Sequence, residues 1–212
     1  ENYYTAGWKH FPLIIVPPDE TVPLIFNIKD SYQEFHHLAA YGNLSTPTGI
    51  LKECYINNIL VWSEDIADGG DGWERVEINR STIVNALNTN NIPNILKFTI
   101  RSDGTTDPTK VKGVVVWVDD VYLKMFGMPD NLIEDGDIER SMCDGLGTVT
   151  APGCFWFKET PQSSCSEPPG PGEYYPNGHL MPSITTYMGS VYIGTKERKS
   201  GIHALELVLP KV

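Results

Sequence analysis

At 212 residues the chain has room for one large or two small domains. Hydrophobic residues make up 41% and charged residues 20%, enough for a packed core and too apolar for a disordered chain. The net charge of −11 argues against a nucleic-acid partner, which demands clusters of Lys and Arg, and suits divalent cations or neutral glycans.

Nineteen glycines and sixteen prolines, with few long helical periods, point to an all-β protein rich in turns. After an aromatic, polar opening that includes Trp8, the run Phe11-Pro-Leu-Ile-Ile-Val16 reads as a short strand halted by Pro17 and Pro18. Val22, Leu24, Phe26 and Ile28 then alternate on one face, with Pro23 marking a sheet edge or strand start. His36 and His37 are adjacent on an extended stretch and point to opposite faces, which does not suit a metal pair. Residues 51–62 read as a hairpin turning at Asn57-Asn58, a dipeptide tolerant of left-handed angles.

Residues 73–78 form the next strand, and 81–87 a helical turn or two capped by Ser81. Residues 95–100 are a strand. Residues 111–123, with β-branched side chains on both faces, are the most apolar strand and belong at the centre of a sheet. After a break at 127–129, residues 131–139 read as a further strand. The stretch 141–182 is poor in periodicity and rich in Cys, Pro, Gly and Ser. It reads as an insertion carrying short strands, among them Cys154-Phe-Trp-Phe157. A strand pair is expected within 184–193, and residues 201–209 form the last strand.

The four cysteines, Cys54, Cys143, Cys154 and Cys165, show neither Cys-x-x-Cys nor zinc-finger spacing. In a loop-rich chain they favour disulfides and an oxidising compartment, with at least one bridge stapling the 143–165 stretch. Buried free thiols are the competing reading, and the connectivity stays open. No run is long and apolar enough for a membrane helix. Asn43-Leu-Ser45 and Asn79-Arg-Ser81 fit the glycosylation sequon. No nucleophile elbow, phosphate loop or dinucleotide fingerprint occurs, and neighbouring carboxylates such as Asp119-Asp120 face apart on a strand. Catalysis is therefore the least supported class.

Four stretches together resemble the jelly-roll carbohydrate-binding modules found beside glycoside hydrolases. They are Asn131-Leu-Ile-Glu-Asp-Gly-Asp-Ile-Glu139, Ser200-Gly-Ile-His-Ala-Leu-Glu-Leu207, Tyr55-Ile-Asn-Asn-Ile-Leu-Val-Trp62 with Gly72-Trp-Glu-Arg-Val76, and Val116-Trp-Val-Asp-Asp-Val-Tyr-Leu123. The resemblance implies a jelly-roll β-sandwich whose halves stand in exchanged order. Residues 1–127 match the family's C-terminal half, and 128–212, with the insertion 141–182, its N-terminal half. A closing strand is thus followed at once by an opening strand. Either the chain is a circular permutant, or the second half of one chain completes the first half of the next. The second arrangement propagates head to tail into a filament unless its rotation closes.

The resemblance also implies a structural calcium site on Asp137, Glu139 and Asp120, with Asp119 as a further ligand. Sugar stacking would fall to Trp8, Trp62, Trp73 and Trp156, although a core role is the commoner fate of a strand tryptophan. The expectation is a non-catalytic, extracellular or cell-surface structural subunit that binds copies of itself through strand or half-domain exchange. The alternative is a carbohydrate-binding module of a secreted enzyme or adhesin, with polysaccharide as partner. An adhesin built from repeats of this unit is a third reading.

Overall fold

Alternation of apolar and polar side chains gathers the described strands into two facing sheets. The computed structural model describes residues 5–13, 23–34, 48–69, 72–88, 94–102, 111–124, 130–133, 136–139, 156–158, 162–164, 190–194, 198–202 and 204–209. His36, His37, Asn43, Cys143, Cys154 and Cys165 lie outside them. In chain order the strands are β1 (Thr5–Leu13), β2 (Leu24–Glu34), β3 (Ile50–Ile56), β4 (Ile59–Asp65), β5 (Glu74–Ile78), β6 (Asn94–Ser102), β7 (Val111–Tyr122), β8 (Trp156–Lys158), β9 (Gln162–Ser164), β10 (Ser190–Gly194) and β11 (Ala204–Leu209). Helix is confined, among the described residues, to a 3-10 turn at Ile66–Asp68 and α1 (Arg80–Ala86).

One sheet runs β4-β3-β6-β1-β8 and the other β5-β2-β7-β11-β10-β9. The pairs are antiparallel except β9 with β10. The architecture is therefore an all-β, sandwich-like one. Each sheet takes strands from both sides of residue 127: β1 lies between β6 and β8, and β11 between β7 and β10.

The core lies between the inward faces. Leu24, Phe26 and Ile28 of β2 and Val114, Val116 and Val118 of β7 meet Ile50, Cys54 and Ile56 of β3 and Leu96, Phe98 and Ile100 of β6. Phe26 meets Phe98 edge-on, with centroids 4.9 Å apart, so the sheets touch through their aromatic residues. Trp156 stands against Phe98 at 6.1 Å and is fully buried.

Two inward positions carry charge. Asp30 continues the series 24, 26, 28 on β2, and Lys52 stands between Ile50 and Cys54 on β3. Lys52 Nζ lies 2.5 Å from Asp30 Oδ2 across the sandwich and 2.6 Å from Glu64 Oε2. Glu64 is the direct cross-strand neighbour of Lys52 on β4.

The hairpin turns where the sequence places it: Asn57 and Asn58 take φ of 51° and 65°, the left-handed pair of a tight two-residue loop. Asn57 also fixes the hairpin to its surroundings, donating from Nδ2 to Ala86 O and Asn94 Oδ1. Three expectations are corrected. β1 begins at Thr5, within the aromatic opening, and its pairing slips between His10 and Leu13 around Pro12, which has no N–H to give. The cap of α1 is Asn79, whose Oδ1 accepts from Thr82 N at 3.0 Å; Ser81 is already helical. Residues 131–133 and 136–139 form no strand: 132–133 bend, 136–139 turn and bend, and at Ile138 a φ of 59° takes the backbone out of the extended region.

Candidate functional site

Three of the stretches that carry the family resemblance meet at one corner. β7 ends there in a bulge: Asn27 pairs with Asp119 and Ile25 with Tyr122, so two residues of β7 oppose Phe26. Asp120 is the left-handed residue of this irregularity, at φ of 49°. The bulge keeps Val118, Val121 and Leu123 turned to the core.

Residues 131–139 fold over the end of β7. Leu132 N donates to Leu123 O and Val121 N to Gly136 O, both at 2.7 Å. Asn131 completes the join, accepting from Leu123 N and donating to Val121 O. A side chain at Gly136 would strike Val121 O, which accounts for the glycine.

The loop 198–202 is held by carboxylates. Asp119 Oδ2 accepts from the backbone N–H of Lys199 (2.8 Å) and Ser200 (3.0 Å), and its Oδ1 from Asp120 N. Asp120 accepts from Ser200 Oγ and from Asn27 Nδ2. Glu139 Oε1 accepts from Ile202 N at 2.6 Å. Gly201, at φ of 59°, leaves room for that carboxylate; a Cβ there would run into it.

Three of the four residues expected to bind calcium, Asp119, Asp120 and Glu139, are thus brought to the 198–202 loop. Asp119, Asp120 and Glu139 receive N–H and O–H donors, while Asp137 is exposed. Among the described residues no three Asp, Glu, His or Cys side chains stand together to share a metal ion.

Burial raises the Asp119 carboxyl to about 6, although the N–H groups of Ser200, Asp120 and Lys199 pull it down. The folded form therefore binds a proton more tightly than an unfolded aspartate does. The associated stabilisation is full below the unfolded value of 3.8 and is lost as pH rises through about 6. Acidification from neutrality toward about pH 4.5 is expected to raise the melting temperature by this route. The fall in net negative charge acts in the same direction. Asp119→Asn isolates the corner: its slope of melting temperature against pH in that window should be shallower than that of the parent.

The tryptophan candidates separate. Trp156 is corrected from glycan platform to core residue, since a fully buried ring has no face for a sugar. Trp62 is half-buried, edge-on to Phe26 at 5.5 Å, and Trp73 is half-buried before β5. Trp8 lies in β1, in register with Phe98 and Lys158. Cys54, expected as a disulfide partner, is a free thiol at 0% exposure, enclosed by the core on the inward face of β3. Burial pushes its thiol pKa upward. Asn79 of the second sequon is exposed.

A surface groove of about 420 Å³ was not foreseen. Pro23, Ile25, Asn27, Arg75, Asp120, Tyr122 and Lys124 line it, beside the bulge. Its sequence signal is the outward series Ile25, Asn27 on β2 and Tyr122 on β7, which points away from the core.

No match turns up. Neither a protein-family model, nor a curated protein, nor a solved structure is found to resemble this chain. The corner and the groove are therefore read from their own chemistry.

Proposed function

We propose that the chain is a non-catalytic, extracellular structural subunit of jelly-roll type that assembles with copies of itself, head to tail, by strand or half-domain exchange. One observation carries the reading: in each sheet a strand of one half of the sequence pairs directly with a strand of the other, β1 with β8 and β7 with β11. Such an edge satisfies the main-chain groups of any strand with the same sequence, so the same pairing made by a neighbouring copy is equivalent in hydrogen bonds. A contact of this kind is heterologous and open-ended. The exposed sequon at Asn79 accords with an extracellular setting.

Light scattering over a dilution series, with electron microscopy of the same samples, tests this. Polymers that persist on dilution are expected. A monodisperse monomer at every concentration would overturn the reading. The carbohydrate-binding alternative is favoured by the groove, where the Tyr122 ring, an amide, a carboxylate and a guanidinium lie together. A monomer that binds cellulose, xylan or chitin oligosaccharides, and loses them in Tyr122→Ala, would select it.

A further inference from the structure

Lysine 52 is buried where the binary pattern of β3 calls for an apolar residue, and so is Asp30 on β2. Their side chains are 1% and 2% exposed. Taking two charges out of water costs several kcal/mol per ion, and an apolar pair of the same volume is commonly as stable or more so. An ion pair alone is therefore a poor reason for the placement. Lys52 Nζ is 2.5 Å from Asp30 Oδ2. Asp30 Oδ1 has no hydrogen-bond partner among the described residues. Glu64, a quarter exposed, touches Lys52 Nζ from the neighbouring strand as an ion pair rather than a well-directed hydrogen bond. The backbone at Gly69 closes over the pair: a Cβ there would stand 2.6 Å from Asp30 Oδ2 and 3.1 Å from Lys52 Nζ.

We propose that Lys52 and Asp30 are joined by an amide bond from Nζ to Cγ, an intramolecular isopeptide cross-link between the two sheets, with Glu64 carrying the proton. The atoms balance without any co-reactant. Glu64 takes a proton from the Lys52 ammonium, and the freed amine attacks Cγ of Asp30. The tetrahedral carbon expels one oxygen, which leaves as water with the two protons that nitrogen has lost. One ammonium and one carboxylate become one neutral amide and one water, and Glu64 ends as it began.

Three physical effects favour the step. The reacting atoms are held in contact, which removes the entropic cost of a bimolecular encounter. The buried site excludes the water that would reverse it. Burial raises Asp30 to about 6, bringing the protonated carboxyl, with its better leaving group, within reach. Burial works to lower the Lys52 ammonium, and the two facing carboxylates more than offset this, so the proton leaves only with a base beside it. Glu64 is that base. The groups facing the reacting pair are Glu64 on β4 and Glu74 on β5. The product removes both charges from the core.

Intact mass spectrometry of the folded, then denatured, chain tests the proposal. A mass lower by one water is expected, and peptide mapping should give a branched peptide linking the segments around Asp30 and Lys52. Lys52→Met and Glu64→Gln should each return the unreacted mass, and Glu64→Gln, which keeps shape and hydrogen bonding, should still melt cooperatively. The unreacted mass in the parent chain would overturn the cross-link. So would a water loss confined to a linear peptide containing Asp30, the mark of a cyclic imide. A branched peptide surviving in Glu64→Gln would overturn the role of Glu64. These outcomes do not depend on self-assembly, because the bond lies within one sandwich.

Discussion

Lys52→Met is expected to lower the unfolding free energy by about 3–5 kcal/mol, because it leaves the Asp30 carboxylate buried without its cation. The double variant Asp30→Leu, Lys52→Met then decides what the pair is. If the two residues form only an ion pair, the double variant should equal or exceed the parent, since apolar side chains suit the inward series on both strands. If they are bonded, the parent also gains from restricting the unfolded chain. The residues are 22 positions apart, and a closed loop of that order contributes roughly 3 kcal/mol. The double variant should then recover the charge penalty and remain below the parent by about that amount. Urea unfolding of the three chains is the measurement. A double variant at parental stability would exclude the loop-closure contribution.

Trp156→Ala should cost a further large amount, about 3–5 kcal/mol, because the ring is fully buried and its removal opens a cavity beside Phe98. Trp62→Ala should cost less, as that ring is half-buried at the edge of the core. The comparison also probes the stretch 141–182. If it were an appendage, a substitution there would stay within about 0.5 kcal/mol. Among the described residues β8 joins the first sheet through only the register Trp8–Lys158 to His10–Trp156, so the tryptophan rather than the ladder holds it. The measurement is thermal or urea unfolding of the two alanine variants side by side.

The strands legible in the sequence were those with a single buried face and an unambiguous turn. The hairpin β3–β4 follows from alternation around Asn57-Asn58, and β6 and β7 from their β-branched runs. The interior place of β7 follows from its apolar residues on both faces, Val115 and Trp117 being as buried as Val114 and Val116. Residues 131–139 misled because Leu132, Ile133 and Ile138 carry strand-like composition, while Asn131 and Leu132 bond to the end of β7 and Ile138 turns left-handed. Their meeting with β7 and the 198–202 loop was legible as motif order. The use of the carboxylates was not, since an aspartate that accepts N–H groups and one that holds a cation are written alike. The Lys52–Asp30 pair was visible as two breaks in alternation, but nothing in a linear pattern says that breaks on different strands face each other.

The mixing of the two halves within each sheet bears on how the chain reaches this state. Thr5–Leu13 cannot pair until residues 94–102 exist, and the other flank of its slot waits for residues 156–158. Pairings so distant in sequence slow folding, because ring closure must be completed before any contact rewards it. During that interval an unpaired strand and a vacant slot coexist on every nascent molecule. The delay lengthens the time for which the main-chain groups of both partners stand unpaired.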